Sequence, residues 1–180
     1  MSNIQIPENF KGEVDTSPAT LKSYSEDTSI FRLTPKAVVY PKDVADLYTL
    51  IHYVHQHRGD MSLTARSAGT DMSGGPLSTS IVVDFLRHFN HIKHVDSELA
   101  TTEPGVYYRD FEKATLKHDR IMPSYTASRE LNTVGGMVAN NSAGEKSLTY
   151  GKTERYVHAL KVVLQDGIEY EFKKLNRTEL

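Results

Sequence analysis

The chain has 180 residues, 38% of them hydrophobic, with a formal charge of -2 and a pI near 6.4. That is the size of one globular domain, and no basic stripe is present to track a nucleic-acid backbone. It contains no cysteine, which excludes disulfides, thiolate metal sites, cysteine-held iron-sulfur clusters and cysteine nucleophiles over this length and fits a cytoplasmic protein. The opening segment MSNIQIPENFKGEVD lacks the basic and apolar regions of a signal peptide, and no stretch approaches a membrane span.

Residues 1–28 are polar and without sustained periodicity, so they are expected to form an N-terminal arm, either extended or as a short helix around Pro18 to Tyr24. From Ala37 the run AVVY predicts a strand. Asp43 then caps an amphipathic helix carrying Val44, Leu47, Ile51 and Val54. A second strand, MSLTA, is followed by a Gly/Ser-rich loop over 66–80 and a third strand, IVVDF. Glu103-Pro104-Gly105 is a turn signal, and Tyr107 to His118 reads as a second helix. Residues 123–151 hold small and polar side chains with little sign of an amphipathic element, as in a wall that approaches a ligand closely. HALKVVLQ and IEYEF flank Asp166-Gly167 and predict a two-residue type I′ hairpin. The order implies an α+β layered fold.

Two segments carry the chemistry. Arg66-Ser67-Ala68-Gly69-Thr70-Asp71-Met72-Ser73-Gly74-Gly75 follows a strand and tolerates tight or left-handed backbone, so it can turn several N–H groups inward as an anion nest. Ser67, Thr70 and Ser73 add hydroxyl donors, and a pyrophosphate is the natural occupant. Gly75-Pro76 replaces the Lys-Ser/Thr of a Walker A loop, and no GxGxxG occurs. In the second segment, Thr133 to Gly144, Thr133 can cap a short helix whose Gly135-Gly136 pair lets its N-terminus touch a ligand. Asn140, Asn141 and Ser142 offer groups that read the polar edge of a flat heterocycle, with Ala139 and Ala143 leaving room for its face. Each segment alone is equally compatible with ordinary packing.

Together they resemble the FAD-binding domain of the vanillyl-alcohol oxidase and p-cresol methylhydroxylase superfamily. The likeness runs in order through Pro41-Lys42-Asp43-Val44, the RGGGT-like loop Arg66 to Thr70, Pro104-Gly105, the PAS-like Thr126-Ala127-Ser128, the TiGGniAtNaGG-like Thr133 to Gly144, Tyr150-Gly151, and the strand ending at Asp166-Gly167. Ser67 and Ala68 stand where the family has loop glycines, Thr126 where it has proline, and Ala143 where it has the first glycine of a pair. The branch containing D-lactate, glycolate and other D-2-hydroxy-acid dehydrogenases is the nearest in pattern.

The resemblance implies an α+β, two-subdomain FAD-binding fold of the p-cresol methylhydroxylase type. Residues 29–180 would form the FAD-binding domain, with 29–100 its first subdomain and 101–180 the start of an incomplete second one. It implies cofactor contacts from Arg66, Ser67, Ala68, Gly69, Thr70, Asp71, Ser73 and Gly74 in the loop and from Pro104 and Gly105 at the turn. Along the wall it implies contacts from Pro123, Ser124, Ala127, Ser128, Thr133, Gly135, Gly136, Asn140, Asn141, Ser142 and Gly144. Covalent members attach the flavin through a loop histidine; Thr70 occupies that position, so non-covalent FAD is implied. Catalytic residues are expected from a substrate domain that follows the flavin domain and lies outside this chain, so none is named and the 180 residues alone are expected to be inactive. The implied reaction is hydride transfer from a small D-2-hydroxy acid, with a protein or quinone as electron acceptor, in the cytoplasm or at the inner face of the membrane. Rival readings are a UDP-N-acetylmuramate dehydrogenase-like or alkylglycerone-phosphate synthase-like flavoenzyme, or a flavin-binding module without turnover. His88, His91 and His94 recur every three residues, but with no acidic partner apparent beside them they read as solvated surface and no metal site is expected.

Overall fold

The computed structural model describes residues 4–175. Its centre is a sheet of order β1-β2-β4-β3, in which β2 (Ala37–Tyr40), β3 (Leu63–Arg66) and β4 (Ile81–Asp84) run parallel and β1 (Glu13–Asp15) lies antiparallel on β2. Every residue of β2 and β4 is buried, because both faces of the sheet are covered and an unbroken apolar run suits a parallel strand so enclosed. Val39, Ile81 and Val83 face Leu50 and Val54 of α2 (Val44–Gln56). Val38, Tyr40 and Val82 face Leu21 of α1 (Pro18–Ser23) and Tyr24. The expected cap on α2 is present: the Asp43 carboxylate accepts from the Asp46 amide at 3.0 Å.

The N-terminal residues expected to form an arm are built into the sheet. They supply the edge strand β1 as well as α1, and Ile4, Ile6 and Phe10 pack on the first core. Three residues are too few to show alternation, which is why β1 left no periodic trace in the sequence. The short β5 (Ile92–Val95) and β6 (Ala100–Thr102), an antiparallel pair with a register shift, were likewise not anticipated.

A second core forms from Val106, Tyr108, Phe111, Tyr125 and Met137. Tyr108 and Phe111 belong to α3 (Tyr108–Thr115), continued by a 3-10 turn over Leu116–His118. The wall segment is more helical than its composition suggests, with α4 over Val134–Ala139 and α5 over Ser147–Tyr150, followed by a 3-10 turn at Thr153–Tyr156. β7 (Ala159–Val163) and β8 (Glu169–Lys173) close the described chain as a hairpin. Its turn differs from the type I′ expectation, which needs left-handed backbone at both Asp166 and Gly167. Of the two, Gly167 alone has a positive φ, +74°, and its amide bonds the Leu164 carbonyl at 2.9 Å while the Leu164 amide bonds the Ile168 carbonyl at 3.1 Å. The connection is therefore a three-residue loop ending in a left-handed glycine.

The three histidines each hold a different carboxylate: His88 with Glu13 at 2.9 Å, His91 with Glu103 at 2.7 Å and His94 with Asp96 at 2.7 Å. The expectation that they lack acidic partners is thus corrected: Glu13 and Glu103, 75 and 12 residues away, cannot be seen from local spacing, whereas Asp96 stands only 2 residues from His94. Among the described residues no group of three or more His, Cys, Asp or Glu is arranged to hold a metal ion, and no helix is long and apolar enough to cross a membrane.

Candidate functional site

The parallel sheet delivers the loop. β3 ends at Arg66, and the chain then turns through Gly69 at φ +67° and Gly74 at φ +82°, conformations that only glycine adopts without strain. Among the described residues the amides of Ser67, Ala68, Gly69, Thr70, Asp71 and Met72 have no protein acceptor. A consecutive run of amides without a protein acceptor, in a glycine-turned loop, is open to an acceptor from outside the chain. The Arg66 guanidinium lies under this loop, donating to the carbonyls of Tyr24 at 3.2 Å and Glu26 at 2.6 Å and stacking 5.1 Å from the Tyr24 ring. Its donors serve the N-terminal segment, leaving its charge beneath the nest.

Asp71 organises the outgoing half. One carboxylate oxygen accepts from the Ser73 amide at 3.0 Å, the Ser73 hydroxyl at 2.7 Å and the Gly75 amide at 2.8 Å; the other accepts from the Asn140 side chain at 3.2 Å. These donors, the Ser73 hydroxyl first, hold the carboxyl below the ordinary aspartate range. Thr28 donates to the Asp71 carbonyl at 2.8 Å, and Phe31 packs beside Gly74. Both come from the N-terminal segment and are absent from the sequence-based site.

The wall meets the loop at α4. Thr133 is buried, caps α4 by accepting from the Gly136 amide at 3.2 Å, and shares a 2.6 Å hydrogen bond with Ser67. The idea that the glycine pair frees the helix N-terminus for a ligand is corrected. The amides of Val134 and Gly135 donate to the carbonyls of Val106 and Pro104, both at 2.9 Å, and that of Gly136 to Thr133. A Cβ on Gly135 would lie 2.4 Å from Pro104 Cβ, one on Gly105 2.0 Å from the Phe85 carbonyl oxygen, and one on Gly144 1.8 Å from that of Tyr125. These three glycines are required by chain crossing chain.

Asn141 also has an internal role. It sits in the left-handed region at φ +43°, its side-chain oxygen accepts from the Glu154 backbone amide at 3.0 Å, and its side-chain nitrogen donates to the Glu154 carboxylate. The Ser142 carbonyl takes both the amide and the hydroxyl of Thr153. Ser124 is fully buried against Thr153 and Ser128 bonds Thr126, whereas Pro104 and Ala127 are exposed and Pro123 half-buried. A hollow of about 280 Å³ is bounded by Tyr125, Thr126, Ala127, Arg129, Ala143 and Glu145 together with Gly144. Tyr125, Arg129 and Glu145 were missed from the sequence. Their signal was proximity to the small-residue motif, where an aromatic ring carries a guanidinium 5.0 Å away and donates its hydroxyl to Glu145 at 2.8 Å.

An α+β fold with an amide-lined glycine loop abutting a small-residue wall defines a flavin-binding domain. Residues 35–173 match the FAD binding domain family, and the chain belongs to it; FAD is its cofactor. The fold is that of the p-cresol methylhydroxylase type. An alkyldihydroxyacetonephosphate synthase superposes with TM-score 0.76 at 20% identity, covering 91% of this chain and 33% of that one. A variant of Physcomitrella patens BBE-like 1 superposes with TM-score 0.74 at 16% identity, covering 91% and 36%. Among curated proteins the chain is similar to D-2-hydroxyglutarate dehydrogenase of Escherichia coli, 31% identical over 89% of this chain and 16% of that protein. It is also similar to glycolate oxidase subunit GlcD of Bacillus subtilis, 34% identical over 89% of this chain and 34% of that subunit. The chain therefore spans about a third of these relatives' length or less.

Proposed function

We propose that this chain is the FAD-holding part of an oxidoreductase that oxidises a D-2-hydroxy acid of the hydroxyglutarate, lactate or glycolate class. The observation that carries the cofactor's placement is the run of six amides from Ser67 to Met72 that have no protein acceptor among the described residues, which suits the two charges of a pyrophosphate. The small-residue wall from Thr126 to Gly144 and the hollow beside it suit a flat ring system. Bound FAD would supply the hydride acceptor. The residues of this chain bind and orient it, Arg66 places a positive charge beneath the phosphates, and the buried Thr133 cap fixes the wall. Attachment is non-covalent, in keeping with Thr70 in the loop and the absence of cysteine.

The hydroxy-acid class rests on the similarity to D-2-hydroxyglutarate dehydrogenase and the glycolate oxidase subunit. Carboxylate and hydroxyl recognition is assigned to chain outside this segment, and the electron acceptor to a protein or a quinone. We place the protein in the cytoplasm, with peripheral contact to the inner membrane face where the acceptor is a quinone. The test is titration of the purified 180-residue chain with FAD, followed by flavin fluorescence and thermal shift. Saturable uptake, released by denaturation without residual protein-bound flavin, is the expected result. Absence of uptake overturns the placement, and flavin retained after denaturation overturns the non-covalent attachment.

A further inference from the structure

Among the described residues two hydrogen bonds cross from the loop to the wall, one at the start of the amide run without protein acceptors and one next to its end: Ser67 to Thr133 at 2.6 Å and Asp71 to Asn140 at 3.2 Å. They bracket α4, whose cap is Thr133 and whose last turn ends at Asn140. We propose that these pairs form a two-point latch, in which Ser67, Thr133, Asp71 and Asn140 are positioning residues that hold the loop on α4 so that its amides converge before the cofactor arrives. The inference rests on the FAD reading above and assigns Asp71 and Asn140 a role other than contact with the cofactor.

The polar groups concerned are already committed. Asp71 engages four donors through its two carboxylate oxygens, and its negative charge beside a pyrophosphate would oppose binding were it not turned into the loop. The Asn140 amide points at Asp71. At the other end Thr133 accepts from Gly136 while sharing a proton with Ser67. Thr133 can donate to Ser67, which leaves the Ser67 hydroxyl proton to point into the nest. The serine that stands where similar loops carry glycine thus ties the loop and adds a donor to it. On the far side of Asn140, the neighbouring Asn141 is held by Glu154, so the end of α4 is fixed from two directions.

The test exchanges the two members of the exposed pair. Asn140→Asp sets carboxylate against carboxylate and is expected to weaken FAD binding about tenfold or more. Adding Asp71→Asn restores a carboxylate-to-amide pair in reverse: the substituted side chain in the loop keeps an oxygen for Ser73 and Gly75 and turns its amide toward the new carboxylate at the end of α4. The double variant should return to within about threefold of the unmodified chain, the residue of one imperfect hydrogen bond. Recovery separates a latch from a direct contact, because an Asn140 that reads the cofactor itself would remain lost. A double variant no better than Asn140→Asp overturns the proposal. The same proteins melted without FAD should show the same loss and recovery, which tests the pairing even if the cofactor reading fails. Should Asn140→Asp not fold, Ser67→Ala melted without FAD decides: a lower melting temperature is expected from loss of the bond to Thr133, and an unchanged one overturns the latch.

Discussion

Gly69 shows how much one residue can fix. Its φ of +67° and the position of the Arg66 Nη2 atom, 2.6 Å from where a Cβ would begin, impose two penalties on any side chain. Gly69→Ala should cost about 1 kcal/mol in stability from the left-handed backbone, and it should push the guanidinium away from the Glu26 carbonyl. The measurable outcome is a lower melting temperature with FAD binding weakened about tenfold. Gly69→Glu, which adds a charge facing the phosphates, should abolish binding; retained affinity would mean that the nest lies elsewhere. Glycine in this loop was legible in the sequence because few other residues permit the turn. The roles of Asn140 and Asn141 were not legible: a side chain that reads a heterocycle and one that bonds a distant carboxylate look identical until Asp71 and Glu154 are placed beside them.

At the level of elements, the sequence revealed those whose apolar pattern is long enough to repeat. β2, α2 and β4 stand out because both faces of the sheet are buried, and the Asp43 cap marks where the helix begins. β1, β5 and β6 have three or four residues each; β1 pairs with the distant β2, and β5 and β6 pair with each other through a register shift that blurs any alternation. β1 is held laterally by Glu13, whose carboxylate takes His88 at 2.9 Å and Arg87 at 3.4 Å. The hydrogen bond from His88 is the leading cause that lowers the Glu13 carboxyl below its ordinary value. A depressed carboxyl stabilises the fold above the unfolded-state value, near 4.3, and that contribution fades as pH falls through the folded one. The chain should therefore lose more of its melting temperature than Glu13→Gln between pH 5 and about pH 3, with a small difference because the pair is solvent-exposed. Parallel curves for the two proteins would show that the contact contributes nothing to holding the edge strand.

Across the whole molecule, two cores share no element: one packs on the sheet that delivers the loop, and the other takes in Met137 of the wall helix α4. The α+β class and the flavin family were legible because the motifs fall in the right order over most of the chain. How the cores meet was not, since that depends on backbone contacts that leave no pattern. Gly105 is one such contact. Its amide bonds the Phe89 carbonyl at 2.7 Å, and the carbonyl oxygens of Phe85 and Phe89 stand 2.0 and 2.7 Å from where its side chain would start. Gly105→Ala should leave far-ultraviolet dichroism nearly unchanged while weakening FAD binding by at least about tenfold, and equal weakening and unfolding would argue against a local effect. A single methyl there behaves as a wedge in a joint: it must displace the carbonyls of Phe85 and Phe89, and the shift passes through Pro104, whose carbonyl holds the Gly135 amide, to the wall helix. One of the tightest tolerances among the described residues is thus set by a residue with no side chain at all.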